Sequence, residues 1–144
     1  MFRNYFCIAT FVTAVWLESA PVAAAQSFDG TWKGQMTCAK LSFTKGTQKV
    51  AMTLTVSGGK ATYSRQVYNR DNTAVVGTEE GTGTIARNGA IALAATYKGP
   101  NPKMTYSASY SGTMRGNAAD LSGTQVWTYD GKTENRKCSI ALKR

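Results

Sequence analysis

From about residue 30 onward, apolar and polar side chains alternate through nearly the whole chain, as they do in strands with one buried and one wet face. Met52, Leu54 and Val56 alternate with Thr53, Thr55 and Ser57. Ile91, Leu93, Ala95 and Tyr97 alternate with smaller residues. Met104, Tyr106, Ala108 and Tyr110 alternate with Thr105, Ser107 and Ser109, and Ile140 and Leu142 follow Cys138 at the same spacing. No stretch of this region keeps a helical period. Eight strands are predicted, over about 31–39, 48–57, 60–68, 77–86, 90–98, 104–115, 118–129 and 136–144. Turn dipeptides stand between several of them: Gly58-Gly59, Asn88-Gly89, Gly116-Asn117 and Asp130-Gly131.

A hairpin imposes a test on this reading, because residues paired across it must point to one face. A two-residue Gly58-Gly59 turn pairs Val56 with Ala61, Leu54 with Tyr63 and Val50 with Val67. Gly116-Asn117 pairs Gly112 with Leu121 and Tyr106 with Trp127, and Asp130-Gly131 pairs Gly123 with Cys138 and Leu121 with Ile140. Placing Tyr97 opposite Met104 also sets Ile91 opposite Tyr110. The apolar faces agree in all four hairpins. A two-residue turn at Asn88-Gly89 would set Ile85 opposite Ala92, on the wrong face. A three-residue loop, Arg87-Asn88-Gly89 with Gly89 left-handed, restores Ile85 opposite Ile91 and is the expected turn.

Residues 1–25 read as an export signal: Arg3 in a short positive region, an apolar run from Tyr5 to Leu17, then Ala23 and Ala25 in an A-x-A arrangement that predicts cleavage before Gln26. Glu18 interrupts the run, which is too short for a permanent membrane anchor. The expected product is a secreted or periplasmic single domain, 26–144, with no transmembrane segment. Cys7 falls in the signal, and the remaining Cys38 and Cys138 read as one structural disulfide of an exported protein. An even-stranded meander brings its first and last strands antiparallel. Cys38 ends the first, Cys138 begins the last, and both sit on the apolar parity. The disulfide therefore marks the seam of an all-β, eight-stranded antiparallel up-and-down barrel, whose closure removes exposed edges. A two-sheet β-sandwich built from the same strands is the alternative.

The first strand opens with Gly30-Thr31-Trp32. A G-x-W at this place resembles the signature of lipocalins and their calycin relatives. That resemblance implies a Trp closing one end of the barrel, covered by an Arg from the last strand; with Cys38 opposite Cys138, Arg144 falls opposite Trp32. Gly30, Trp32 and Arg144 are thus the expected structural residues of the closed end. The sequence runs only to the end of the eighth strand, so the resemblance is nearer to compact calycins such as avidin-like barrels and small bacterial protease inhibitors. Such families imply binding of hydrophobic small molecules or of proteins, without a cofactor.

The same register gathers the longer connections, near 40–47, 69–76 and 99–103, with the Asp130 turn, at the end away from Trp32. A calycin-like barrel would open there. The inward parity at that end carries Arg65, Glu79, Gln125 and Arg136 among the aromatic residues Tyr97, Tyr106, Trp127 and Tyr129. A few convergent polar groups among aromatic walls is how small-ligand sites are commonly made. The expected contact set is Arg65, Glu79, Tyr97, Tyr106, Gln125, Trp127 and Arg136. An eight-stranded interior is also about the width that side chains alone fill, and Arg65 with Glu79 can be a plain cross-strand ion pair. Small inward residues (Gly34, Gly81, Gly83, Ala95, Ala108, Gly112, Gly123) would leave some space.

Composition narrows the chemistry. The chain has no histidine, and 17 Lys and Arg against 8 Asp and Glu give a net charge of +9. Absence of histidine removes the Ser-His-Asp triad and nearly every His-containing zinc site. Glu79 and Glu80 are adjacent in a strand, face opposite sides and cannot act as an acid–base pair. No phosphate-binding glycine loop, EF-hand or zinc spacing occurs, and a non-enzymatic protein with no metal is expected. Lys132, Arg136, Lys137, Lys143 and Arg144 cluster in sequence near the C-terminus, which suggests either a solvated exterior or an anionic envelope polymer as partner; no specific nucleic-acid target is indicated. A basic target such as a lysozyme would be repelled. Three partner classes remain open: a small amphipathic ligand, a secreted protein docking on the stiff Pro100-Asn101-Pro102 loop, or an anionic polymer on the outer surface.

Overall fold

The computed structural model describes residues 27–69, 71 and 73–144; the expected export signal lies outside the described residues. Eight strands follow one another, β1 Gly30–Cys38, β2 Gln48–Ser57, β3 Lys60–Tyr68, β4 Val75–Ile85, β5 Ala90–Lys98, β6 Met104–Arg115, β7 Ala118–Tyr129 and β8 Lys132–Lys143. Each pairs antiparallel with its chain neighbours and β1 pairs with β8, closing the sheet into one barrel rather than a sandwich. The seam has Cys38 opposite Cys138, joined as a disulfide with Cα atoms 4.0 Å apart. The two residues face each other directly across the ladder, and their Cα atoms are closer than the usual disulfide range of about 4.4–6.8 Å.

Several registers stand as the alternation requires. Tyr106 opposes Trp127, Leu121 opposes Ile140, and Ile85 opposes Ile91 across the Arg87-Asn88-Gly89 loop. There Gly89 takes φ 85° while its N–H donates to the Ala86 carbonyl; a side chain at that φ would be strained. The β7–β8 turn has positive φ at both Asp130 (48°) and Gly131 (78°), the conformation whose twist matches the flanking strands. β8 begins at Lys132, four residues before the predicted start. Lys132–Asn135 is polar on both faces, so alternation is silent there although the ladder continues.

Two registers differ from expectation. β5 and β6 are slipped by two residues, so that Leu93, not Ile91, opposes Tyr110, and Ile91 opposes Gly112. A slip of two keeps every side chain on its face, so face agreement alone cannot detect it. β2 and β3 pair only at Thr55 with Thr62, Val56 with Ala61 and Ser57 with Lys60. The predicted Leu54–Tyr63 and Val50–Val67 pairs do not form, and the two strands part towards the 40–47 end. Each is held along its other edge, β2 by β1 over its whole length and β3 by β4, where the register shifts between Val67 and Tyr68.

The closed end is apolar. Trp32 is fully buried, its indole N–H donating to the Phe28 carbonyl at 2.9 Å, and the Arg144 guanidinium lies 5.6 Å from the centre of its ring. Met36, Met52, Leu54, Leu93, Met114, Leu121, Ile140 and Leu142 fill the barrel above it. The inward glycines do not leave space as expected. A Cβ at Gly81 would run into the Tyr63 ring, while one at Gly123 or Gly83 would meet first the backbone carbonyl of Ser109 or Ala92 on the neighbouring strand and then the Tyr110 ring or the Leu93 side chain. These glycines are where large neighbours lean across the interior.

Candidate functional site

The barrel is hollow at the end carrying the long connections. There a cavity of about 570 Å³ is walled by Leu41, Phe43, Val50, Val67, Val76, Met104 and Trp127, with Arg65 and Arg136 on its inner surface and Pro100 and Asn101 at its edge. Its volume is in the range of small-molecule sites, roughly 300–1,000 Å³. The connection after β1 folds over the mouth. Leu41 N–H donates to Thr44 Oγ1 (2.9 Å) and Thr44 N–H to the Leu41 carbonyl (3.0 Å), a turn that buries both residues. Glu134 of β8 accepts from the Ser42 N–H and hydroxyl, which holds the Glu134 carboxyl below its ordinary pKa. Phe43 is thereby set edge-on to Trp127, ring centres 6.0 Å apart. A second cavity, about 540 Å³, occupies the parting between β2 and β3 and shares Val50, Arg65 and Tyr68 with the first. The site is thus open at the end of the barrel and flanked by a break in its side.

Under the cavity lies a layer of polar side chains. Glu79 of β4 and Gln125 of β7 are fully buried, and Arg136 is 4% exposed. Glu79 pairs with Arg65 across the β3–β4 ladder and accepts hydrogen bonds from Tyr63 Oη and, at 3.3 Å, from Tyr110 Oη. Gly81, directly opposite Tyr63, lets that ring lean far enough for its hydroxyl to meet the carboxylate. Gln125 Nε2 donates to Tyr110 Oη (2.7 Å), whose hydroxyl lies 3.2 Å from that of Tyr106. Gln125 Oε1 accepts from both Trp127 Nε1 (3.1 Å) and Arg136 Nε (2.6 Å), and Arg136 Nη1 donates to Gln48 Oε1 at 2.6 Å. Above this layer Trp127 stacks on Tyr106, with ring centres 4.5 Å apart, and carries the Arg136 guanidinium on its face.

Burial governs the titration of this layer. Desolvation, reinforced by the Glu79 charge, pushes the hydroxyls of Tyr63 and Tyr106 far above the ordinary tyrosine range and that of Tyr110 up to about 12. Arg136 is lowered to about 10 by desolvation first and by the charge of Arg65 second. Burial acts on Arg65 in the same direction, but the Glu79 carboxylate, with Tyr106 and Tyr110, carries its pKa above the ordinary value.

The seven expected contact residues are therefore neighbours, in two tiers. Arg65, Trp127 and Arg136 line the cavity. Glu79, Gln125 and Tyr106 lie beneath and hold them, and Tyr97 braces Trp127 from the side, its hydroxyl bonded to the Val76 carbonyl at 2.6 Å. Tyr129 is half exposed at the mouth, against Phe43. The apolar walls were missed. Val50, Val67 and Met104 could have been found from their inward parity beyond the polar layer; Leu41 and Phe43 sit in a connection, where no period marks a face. The basic cluster does not survive as one surface. Arg136 points inward, Lys137 Nζ donates to Thr124 Oγ1 at 3.0 Å, Arg144 covers Trp32, and Lys132 and Lys143 stand at opposite ends of β8. Among the described residues no group of three or more His, Cys, Asp or Glu is placed to hold a metal, and no helix is long and apolar enough to cross a membrane.

No family model and no curated protein matches the chain. Among solved structures it is similar to Rv2717c from M. tuberculosis, at 14% sequence identity and a TM-score of 0.40, with 81% of this chain and 91% of that one covered. A likeness that loose carries no argument about function.

Proposed function

We propose that this protein is an exported, calycin-like binding module that takes a small amphipathic ligand into the open end of its barrel, with neither cofactor nor catalysis. The observation that carries the reading is the cavity itself: about 570 Å³ of mainly apolar, aromatic-walled space closed below by buried, convergent polar groups. Export rests on the signal-like residues 1–25 and agrees with a disulfide at the barrel seam. A binding role is favoured over catalysis by the state of Glu79, whose carboxylate is engaged by Arg65 and two tyrosine hydroxyls beneath the cavity surface. The ligand reading is favoured over a protein partner by the loop 99–103. Pro100 and Asn101 fold along the cavity edge, Asn101 caps the Lys103 and Met104 amides, and Lys103 pairs with Asp130 at 3.2 Å; a docking loop would project.

The test is titration of the purified protein with the neutral apolar fluorophore N-phenylnaphthylamine. Saturable one-to-one enhancement is expected, insensitive to salt because the probe carries no charge for ions to screen, and lost when Val76→Trp fills the cavity without lowering the melting temperature. No saturable response would overturn the cavity reading. A response only to acidic glycans, abolished at high salt, would move binding to the outer lysines.

A further inference from the structure

Two arginines face one carboxylate at the floor of the cavity, and the arrangement leaves one positive charge over. Glu79 is taken up by Arg65, Tyr63 and Tyr110. Arg136, 4% exposed, has only neutral partners, the amide oxygens of Gln125 and Gln48, each at 2.6 Å. No carboxylate among the described residues lies within ion-pair distance of it. The side chain of Arg65 is 8% exposed, yet its Nε has no hydrogen-bond partner. A buried donor of this kind is expensive to leave unmade, and a buried cation without a counter-charge more so. Both guanidiniums border the cavity, while the walls towards the mouth are Leu41, Phe43, Val50, Val67, Val76 and Met104. The charged lining groups are thus at the inner end, and the outer walls are mostly hydrocarbon.

Resting on the cavity reading above, we propose that the ligand is an amphipathic monoanion, an apolar chain or ring system bearing one carboxylate or similar oxyanion, seated head inward on the guanidiniums of Arg136 and Arg65. The oxyanion accepts from Arg136 and from the unpartnered Nε–H of Arg65 as charge-assisted hydrogen bonds. It supplies the missing negative charge, and its apolar body displaces water from the aliphatic walls. A cationic amphiphile of the same length meets repulsion at the floor, and a neutral one leaves the excess charge uncompensated.

The experiment is competition against bound N-phenylnaphthylamine by three ligands that differ only in head group, dodecanoate, dodecanol and dodecyltrimethylammonium, all below micelle formation. Dodecanoate is expected to bind about 10–100-fold more tightly than dodecanol, the weight of a charge-assisted hydrogen-bonded head, and the ammonium weakest. In Arg136→Gln the ratio of dodecanoate to dodecanol affinity falls towards one; in Arg136→Lys, which keeps the charge, it stays above one. The wild-type series needs no variant and decides the question even where a substitution unfolds the barrel. Equal binding of dodecanoate and dodecanol, or preference for the ammonium, overturns the anion inference while the cavity reading stands. Failure of N-phenylnaphthylamine itself to bind overturns both.

Discussion

Replacing Glu79 by Leu removes the only carboxylate in the buried layer and strands three groups at once. Arg65 becomes a buried, unpaired cation, and the hydroxyls of Tyr63 and Tyr110 lose their acceptor. Breaking a buried ion pair from one side costs about 3–5 kcal/mol, a large part of the roughly 5–15 kcal/mol that holds a domain of this size. Arg65→Met breaks the same pair from the other side, leaves Glu79 without its cation at zero exposure, and is expected to cost a similar amount. If the two penalties share one cause they do not add. The double variant, with neither charge present, should lose only what the two tyrosine hydroxyls lose, about 1–3 kcal/mol each at most. With single losses of about 4 kcal/mol each and a double loss of about 2–6 kcal/mol, it should be about 2–6 kcal/mol more stable than the sum of the single changes predicts. Urea unfolding of the oxidised protein, followed by tyrosine and tryptophan fluorescence, measures all four corners of the cycle. Single-variant losses below about 1 kcal/mol, or losses that simply add, would refute the claim that this pair is desolvated and mutually dependent.

Alkaline conditions should unfold the barrel from about pH 10. Tyr63, Tyr106 and Tyr110 stay neutral when folded but ionise near pH 10 when unfolded, so each removes about 1.4 kcal/mol of stability per pH unit above 10. Arg136, lowered to about 10 when folded, holds fewer protons than in the unfolded chain over the same window and offsets one of the three. The net slope of roughly 2 kcal/mol per pH unit, read from urea midpoints between pH 10 and 11 where the unfolded tyrosines are only partly ionised, should halve in Tyr106→Phe; a flat profile would contradict the burial of these hydroxyls. Hydrogen exchange should find the amides of β2 and β3 that flank the parting exchanging well before those of β6 and β7, which pair along their full lengths; equal protection would mean that the two strands close in solution.

Much of this architecture is legible in the chain because a barrel repeats one rule. Every strand must put its apolar set inside, and a turn dipeptide fixes which residues meet; hence Tyr106 against Trp127 and Ile85 against Ile91 follow from parity and turn length, while Arg65 against Glu79 follows from parity across the longer 69–76 connection and Cys38 against Cys138 from the two cysteines of an even-stranded meander. Parity is blind to even slips, which is why Ile91 was set against Tyr110 rather than Gly112. It is blind to separation too, since Val50 and Val67 keep to the inward face although their strands no longer touch there. The polar layer could be read as a set of residues but not as a network. That Gln125 serves Trp127, Arg136 and Tyr110 at once depends on side-chain reach, which strand spacing does not encode. Phe43 lay beyond reach because a connection has no period.

A packed apolar layer in place of Arg65, Glu79, Gln125 and Arg136 would cost the barrel nothing, since buried ionic groups are commonly matched or bettered by hydrocarbon of the same volume. The apolar layers below, around Met36, Leu54, Leu93 and Leu121, show that this chain fills space with hydrocarbon where it only needs filling. The polar groups are confined to the one level that faces a cavity, and they are arranged with a cation in excess. Stability lost at that level must be made up elsewhere. The seam disulfide, bridging residues 100 apart in sequence, contributes roughly 4–5 kcal/mol by restricting the unfolded chain, comparable to the penalty for one broken buried pair. It does so at the strand pair that closes the barrel, two ladder positions from the Gln125–Arg136 bond. The disulfide thus fixes β8, and with it the Arg136 backbone, against β1. An uncompensated guanidinium can then stay poised under the cavity instead of swinging out to water.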